Sequence, residues 1–149
     1  MGGVLASVAL FQLLGPVGHL GSTIPHIAPV KAMLFEIVLT FFLMWVITAV
    51  ATDHRAEGQM AGLAIGGTVA LAALMGGPVS GASMNPVRSL APALIDGELG
   101  HVWIYCVGPI IGAYFGAFCY QKVSCFRPRE KLDLDEPQQA ESVEAKGCC

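Results

Sequence analysis

Arg88 is the first ionisable side chain after an apolar run that begins at Gly58, and it stands three positions beyond Asn85-Pro86. Asn followed by Pro is a strong helix start. The Asn side chain caps a free N–H, and Pro suits the first helical position, where its missing N–H is no loss. A helix opening at Pro86 turns its unpaired N–H groups and positive dipole end toward the residues before it, and Asn85 adds an amide able to hydrogen-bond a small polar solute. Arg88 falls in the first turn, where the dipole disfavours a cation. A guanidinium held there sets an electrostatic barrier against cations and protons. The competing reading is an Arg that snorkels to the outer interface; its place inside a helix start, away from the edge of a span, weighs against that.

Glu36 is the other charge set within an apolar run, one turn before Thr40 on the same predicted helix face. It suits either the protonatable relay of a transporter or an acceptor for backbone N–H groups of irregular chain at membrane depth. A pore with a fixed Arg barrier has no use for a proton relay, which favours the acceptor. His19, His26, His54 and His101 are scattered through loops and read as ordinary polar residues. Of the five cysteines, Cys106 and Cys119 lie in an apolar span, Cys125 stands alone, and Cys148-Cys149 form a close pair. Two ligands do not make a zinc site. Together with Cys125 the terminal pair offers soft thiols to a thiophilic ion such as arsenite; reversible palmitoylation and plain free thiols are the competing readings. No cofactor is implied.

These groups need elements that hold them at membrane depth. The chain is 54% hydrophobic and only 13% charged, and its charges avoid most of the first 120 positions, which excludes an ordinary soluble domain. Its net charge of −3 comes largely from the acidic end and points to no nucleic-acid partner. Apolar runs at 32–52, 59–77 and 102–121 are each long enough to span a bilayer. Residues 1–14 are apolar but too short, and Gly15-Pro16 closes them. No basic flank marks them as a signal peptide, so they read as a helix cut open at its start. The loop 15–31 is rich in Gly, Pro, Ser and Thr.

Residues 53–58 make a short polar connection, so the spans on either side run antiparallel and pack as neighbours. Residues 77–83 have the make-up of irregular backbone with no charge to announce an exit into water. The re-entrant loop and the helix after it occupy 78–95, the helix being roughly 13 Å long, about half the hydrocarbon thickness. Gly108-Pro109, Gly112 and Gly116 place small residues at four-residue spacing in the last span, which permits close helix contact. Arg55 and the group Lys122, Arg127, Arg129 and Lys131 put both their segments on the cytoplasmic side. The tail 123–149 is polar and acidic, a composition of disorder. The class is an all-α membrane protein.

The run Gly-Pro-Val-Ser-Gly-Ala-Ser-Met-Asn-Pro-Val-Arg-Ser at 77–89 resembles the second Asn-Pro-Ala signature of the major intrinsic protein, or aquaporin, family, with Val87 in place of Ala. Glu36 with Thr40-Phe41 resembles the Glu-x-x-x-Thr-Phe pattern of that family's fourth helix, and Trp103, Gly108-Pro109, Gly112-Ala113 and Gly116-Ala117 resemble its sixth. The resemblance covers 1–122 and implies the C-terminal half of an aquaporin-type bundle: a partial N-terminal span, three full spans and one re-entrant half-helix. It further implies a pore where two half-helices meet at mid-membrane, and tetramers with one pore per subunit. The family's first half would precede Met1, which suggests a fragment. The filter positions carried over from the family are Arg88, Ala73 on the fifth helix and Ala82 in the loop, with a fourth in the absent half. Water-selective members place His where Ala73 stands, so two small apolar residues imply a wider, less polar filter. The wording Gly-Ala-Ser-Met-Asn-Pro-Val-Arg-Ser-Leu is similar to the nodulin-26-like and related bacterial branch, whose members pass glycerol and small neutral hydroxylated solutes including metalloid acids.

The function so implied is a passive channel for small uncharged polar solutes (water, glycerol, metalloid acids such as arsenite). Asn85, Pro86, Val87, Arg88, Ala73 and Ala82 would line its path, with Glu36 and Thr40 supporting the loop. The partners are the lipid bilayer of a plasma or inner membrane and other copies in a homotetramer. The alternative is a non-conducting half-channel that assembles with full-length relatives and modifies them. No constellation of nucleophile, base and metal argues for an enzyme.

Overall fold

The computed structural model describes residues 1–52 and 60–125. The connection at 53–59, Cys148, Cys149 and the rest of the tail from 126 lie outside the described residues, as does the side chain of Cys125. The described residues form five α-helices and no strand: α1 Gly2–Leu14, α2 Pro29–Thr52, α3 Ala61–Ser80, α4 Pro86–Asp96 and α5 Val102–Cys125. Three are long and apolar enough to cross a membrane, over Pro29–Ala51, Ala61–Ser80 and Val102–Ser124, while α1 is shorter. The predicted all-α membrane bundle is thus the architecture found.

Helix boundaries depart from the sequence expectation where a breaker residue proved tolerable. The backbone predicted to be irregular from Gly77 is helical through Pro78 to Ser80. A Pro this near the end forfeits one helical hydrogen bond, and termination awaits a residue able to turn left-handed. Gly81 is that residue: φ is 91°, and its N–H bonds the carbonyls of Gly76 and Gly77 at 3.2 Å. Likewise α2 starts earlier than the apolar run, at Pro29, and α5 continues past residue 121 to Cys125. Within the predicted loop, Val17–Gly21 form a tight 3-10 turn in which Gly18, His19 and Leu20 are all left-handed.

The most extensive packing joins α2 to α5, and α3 lies against another side of α2. Small residues allow the close approach. A methyl group added at Gly108 would stand 3.0 Å from Glu36 Cβ, one at Gly116 would stand 3.2 Å from Met44 Cβ, and one at Gly112 would run into the carbonyl oxygen of Ile37. In lipid, where no hydrophobic force draws helices together, such backbone-on-backbone contact supplies the attraction. Two buried clusters complete the interior. Ala32, Ile104 and Tyr105 lie between α2 and α5; Leu39, Ala72, Ala82 and Met84 bring the segment after α3 into the groove between α2 and α3. Helix α1 packs on α4 and the adjoining turn. The fold therefore delivers one short amphipathic helix, α4, whose start is presented by a five-residue loop, 81–85.

Candidate functional site

The loop reverses the chain by left-handed backbone at Gly81 (φ 91°), Ala82 (φ 43°) and Met84 (φ 51°). Two of these are not glycine, and each such residue costs about 1–2 kcal/mol, so other interactions must hold them. Glu36 supplies those interactions from α2, where it is wholly buried. Its Oε1 accepts from the Ser80 hydroxyl at 2.7 Å and the Ser83 N–H at 2.9 Å, and its Oε2 accepts from the Met84 N–H at 2.8 Å. The Ala82 N–H donates to Ser80 Oγ at 3.2 Å, and Tyr105 from α5 donates its hydroxyl to the Ser80 carbonyl. Three consecutive loop amides are thereby paired inside a segment where water is scarce and an unpaired N–H costs several kcal/mol. Such charge-assisted bonds are among the stronger ones available to a carboxylate.

Asn85 then closes the start of α4. Its side-chain oxygen accepts from the Val87 N–H at 2.9 Å, with Pro86 at the first helical position. Helix α4 buries Ser89, Ala91, Pro92 and Ala93 and ends at the left-handed Gly97. Its other face leaves Val87 and Arg88 exposed beside the exposed Asn85. Arg88 has no carboxylate partner among the described residues, where the one ion pair joins His19 of the 3-10 turn to Asp96 at the far end of α4, 3.0 Å apart.

Two cavities meet at Asn85. One, of about 390 Å³, is lined by Asn85, Val87 and Arg88 with Ser7 of α1 and Leu20 and Gly21 of the turn. The other, of about 310 Å³, is lined by Asn85, Pro86 and Met84 with Thr40 of α2 and Pro109 and Ile110 of α5. The sequence-predicted residues divide accordingly. Asn85, Pro86, Val87 and Arg88 are brought together at open surfaces. Ala73 is exposed on α3 but borders neither cavity, and Ala82 is 5% exposed, its methyl packed into the cluster with Leu39 and Ala72. Thr40 was expected to support the loop alongside Glu36; instead it donates to the Glu36 carbonyl at 2.8 Å, within its own helix, and faces the loop only across the second cavity. A helical Thr has the carbonyl four residues back ready to hand, and that local bond wins.

Sequence reasoning missed Ser80, Ser83, Ser89, Thr23 and Tyr105. The serines stand in the signature itself but read there as mere loop composition, and the contributions of Thr23 and Tyr105 arise only from tertiary contact.

Residues 1–120 match the Major intrinsic protein family. The chain belongs to the major intrinsic protein family. It is similar to Aquaporin NIP1-1 of Zea mays, with 48% identity over 124 residues that cover 83% of this chain and 44% of the relative. Nodulin-26 of Glycine max is also 48% identical over 124 residues, covering 83% of this chain and 46% of the relative. A probable NIP-type aquaporin of Nicotiana alata is 46% identical over 135 residues, 89% of this chain and 50% of the relative. The chain thus spans about half the length of the curated relatives it matches. Members of the major intrinsic protein family are channels and not enzymes, and the apolar helices described above fit an integral membrane protein.

Proposed function

We propose that this chain is the pore-forming C-terminal part of a passive membrane channel for small uncharged polar solutes, namely water, glycerol and metalloid acids such as arsenite. The observation that carries the reading is the Asn85-capped half-helix, whose start is held by the Glu36 carboxylate while Asn85, Val87 and Arg88 stay open to the cavity beside it. At 11 residues α4 is about 16 Å long, so it covers roughly half of the hydrocarbon layer. Asn85 offers its amide to the solute, and Arg88 with the positive helix end repels cations and protons. Ala73 lines the path with a small side chain; Ala82, its methyl buried, lines it by main chain alone. Glu36 holds the loop as an acceptor. The complete channel is a homotetramer in a plasma or inner membrane, with the C-terminus cytoplasmic.

The test is stopped-flow light scattering on vesicles carrying the chain. Water and glycerol exchange faster than in protein-free vesicles supports the reading. Unchanged rates with folded protein in the bilayer would overturn conduction by this chain alone. The alternative reading is a non-conducting part that assembles with full-length relatives and modifies them. It requires that mixing the chain with such a relative change that relative's flux. The tail thiols Cys125, Cys148 and Cys149 are proposed as a soft-ligand set for arsenite, as adjacent thiols on one tail act at high local concentration. A peptide of residues 122–149 should bind arsenite more tightly than its triple Ser variant, and equal binding would sink the idea.

A further inference from the structure

A chain of hydroxyl groups runs from the linker before α2 to the main chain of Asn85. Thr23 Oγ1 lies 2.5 Å from Ser89 Oγ, Ser89 Oγ lies 2.5 Å from Ser83 Oγ, and Ser83 Oγ lies 2.8 Å from the carbonyl oxygen of Asn85. The direction of every proton follows from the last of these. A carbonyl only accepts, so Ser83 spends its single O–H on Asn85. Ser89 must then donate to Ser83, which leaves Thr23 to donate to Ser89. The Asn85 N–H, at 3.4 Å, takes the second acceptor position of Ser83 Oγ. Ser83 and Ser89 cannot turn their protons back along the chain without setting donor against donor; Thr23 also has the Tyr105 hydroxyl within hydrogen-bond reach, and turning there would leave it and Ser89 as two facing acceptors. Ser83 and Ser89 are 4% and 1% exposed, so water does not stand in for a lost member.

The far end of the chain is itself fixed. The linker is pinned to α3 by the His26 N–H, which donates to the Val79 carbonyl at 3.1 Å, and a methyl group added at Gly81 would stand 3.2 Å from Thr23 Cβ. Thr23 therefore meets this region at two places, a hydrogen bond to Ser89 on α4 and a packing contact with the loop that only glycine at 81 permits.

We propose that Thr23, Ser89 and Ser83 are positioning residues that set the orientation of Asn85 at the pore through this one-way hydroxyl chain. None of the three touches solute. Their effect passes through Asn85, whose carbonyl they hold while its side chain caps α4. The inference rests on the channel reading only for its effect on solute choice; the mechanical part stands on the geometry alone.

Thr23→Val keeps the shape and removes the first proton, and Thr23→Ser restores it. Two measurements on the full chain in lipid separate the possibilities. In hydrogen–deuterium exchange, Thr23→Val should speed exchange across residues 81–89 by about three- to tenfold, the effect of losing one net hydrogen bond. Thr23→Ser should match the unmodified chain, and α2 should be unaffected in both. Ser83→Ala, which removes the last donor, should loosen the same residues and serves if Thr23→Val fails to insert. In vesicle swelling, Thr23→Val should shift the ratio of glycerol to water flux while Thr23→Ser leaves it unchanged. Exchange in 81–89 that is the same in all variants overturns the proposal. So does loosening spread evenly over all helices, which would mark Thr23 as a general packing residue. If the unmodified chain passes neither solute, the channel reading falls, and the exchange comparison still decides the hydroxyl chain.

Discussion

Glu36 carries more of the site than any other side chain, because it accepts two backbone N–H groups and a hydroxyl at once. Glu36→Gln keeps the shape but turns one acceptor oxygen into a donor that must face an N–H or an O–H. The expected loss is about 1–3 kcal/mol of unfolding free energy in detergent, the price of an unsatisfied buried group. An unchanged unfolding midpoint would mean the loop amides find other partners. Arg88 poses the opposite case, an exposed cation whose proposed effect is on passage and not on folding. In a channel carrying this half, Arg88→Ala should leave stability unchanged and raise cation or proton leak in a pH-gradient assay on vesicles. Leak equal to that of the unmodified channel would remove Arg88 from the barrier. Both residues drew attention in the sequence because a charge in an apolar run is costly anywhere else. Thr40 shared a helix face with Glu36 and looked like its helper, but sequence spacing does not reveal that a hydroxyl will satisfy itself locally.

The helices themselves were legible to within a few residues, since long apolar runs in a chain with few charges leave little else to form. Helix α4 was legible from Asn85-Pro86 alone, and its start lies where those two residues put it. The end of α3 was not, because Pro78 and Gly77 are breakers on average while the stop is set by the one residue, Gly81, that goes left-handed. The pairing of α2 with α5 through Gly108, Gly112 and Gly116 gives a test of that interface. Gly112→Val places a branched side chain against the Ile37 carbonyl oxygen and Thr40 Cβ, so α5 must move away from α2. The expected outcome is a destabilisation of about 1–3 kcal/mol or more, in the range of overpacked cores, measured by unfolding in mild detergent. Gly100→Val, in a turn with open space around it, is the control and should be near neutral. Similar losses for the two variants would mean the interface is looser than its geometry indicates.

Taken whole, the molecule groups α2, α3 and α5 around Glu36 and sets α1 with α4 beside them. Ala73 lies outside the groupings that define either cavity, so its proposed place at a filter concerns the assembled channel. Ala73→His should narrow that path and add a hydrogen-bond donor, lowering glycerol flux more than water flux; equal reductions would remove Ala73 from the filter. What the sequence did not disclose at this level is the cross-linking of distant segments: Thr23 to Ser89, His19 to Asp96, Tyr105 to Ser80. Such links depend on three-dimensional proximity and leave no periodic trace. The Glu36 contacts also impose an order on how the protein is made. Synthesis runs from the N-terminus, so Glu36 reaches the membrane before residues 80–84 that will donate to it, and Tyr105 arrives after both. Until the loop emerges, the carboxylate has none of these donors, and lipid is the least hospitable place for it. The second helix must therefore wait beside water, and the loop cannot lock until the last helix has been threaded in.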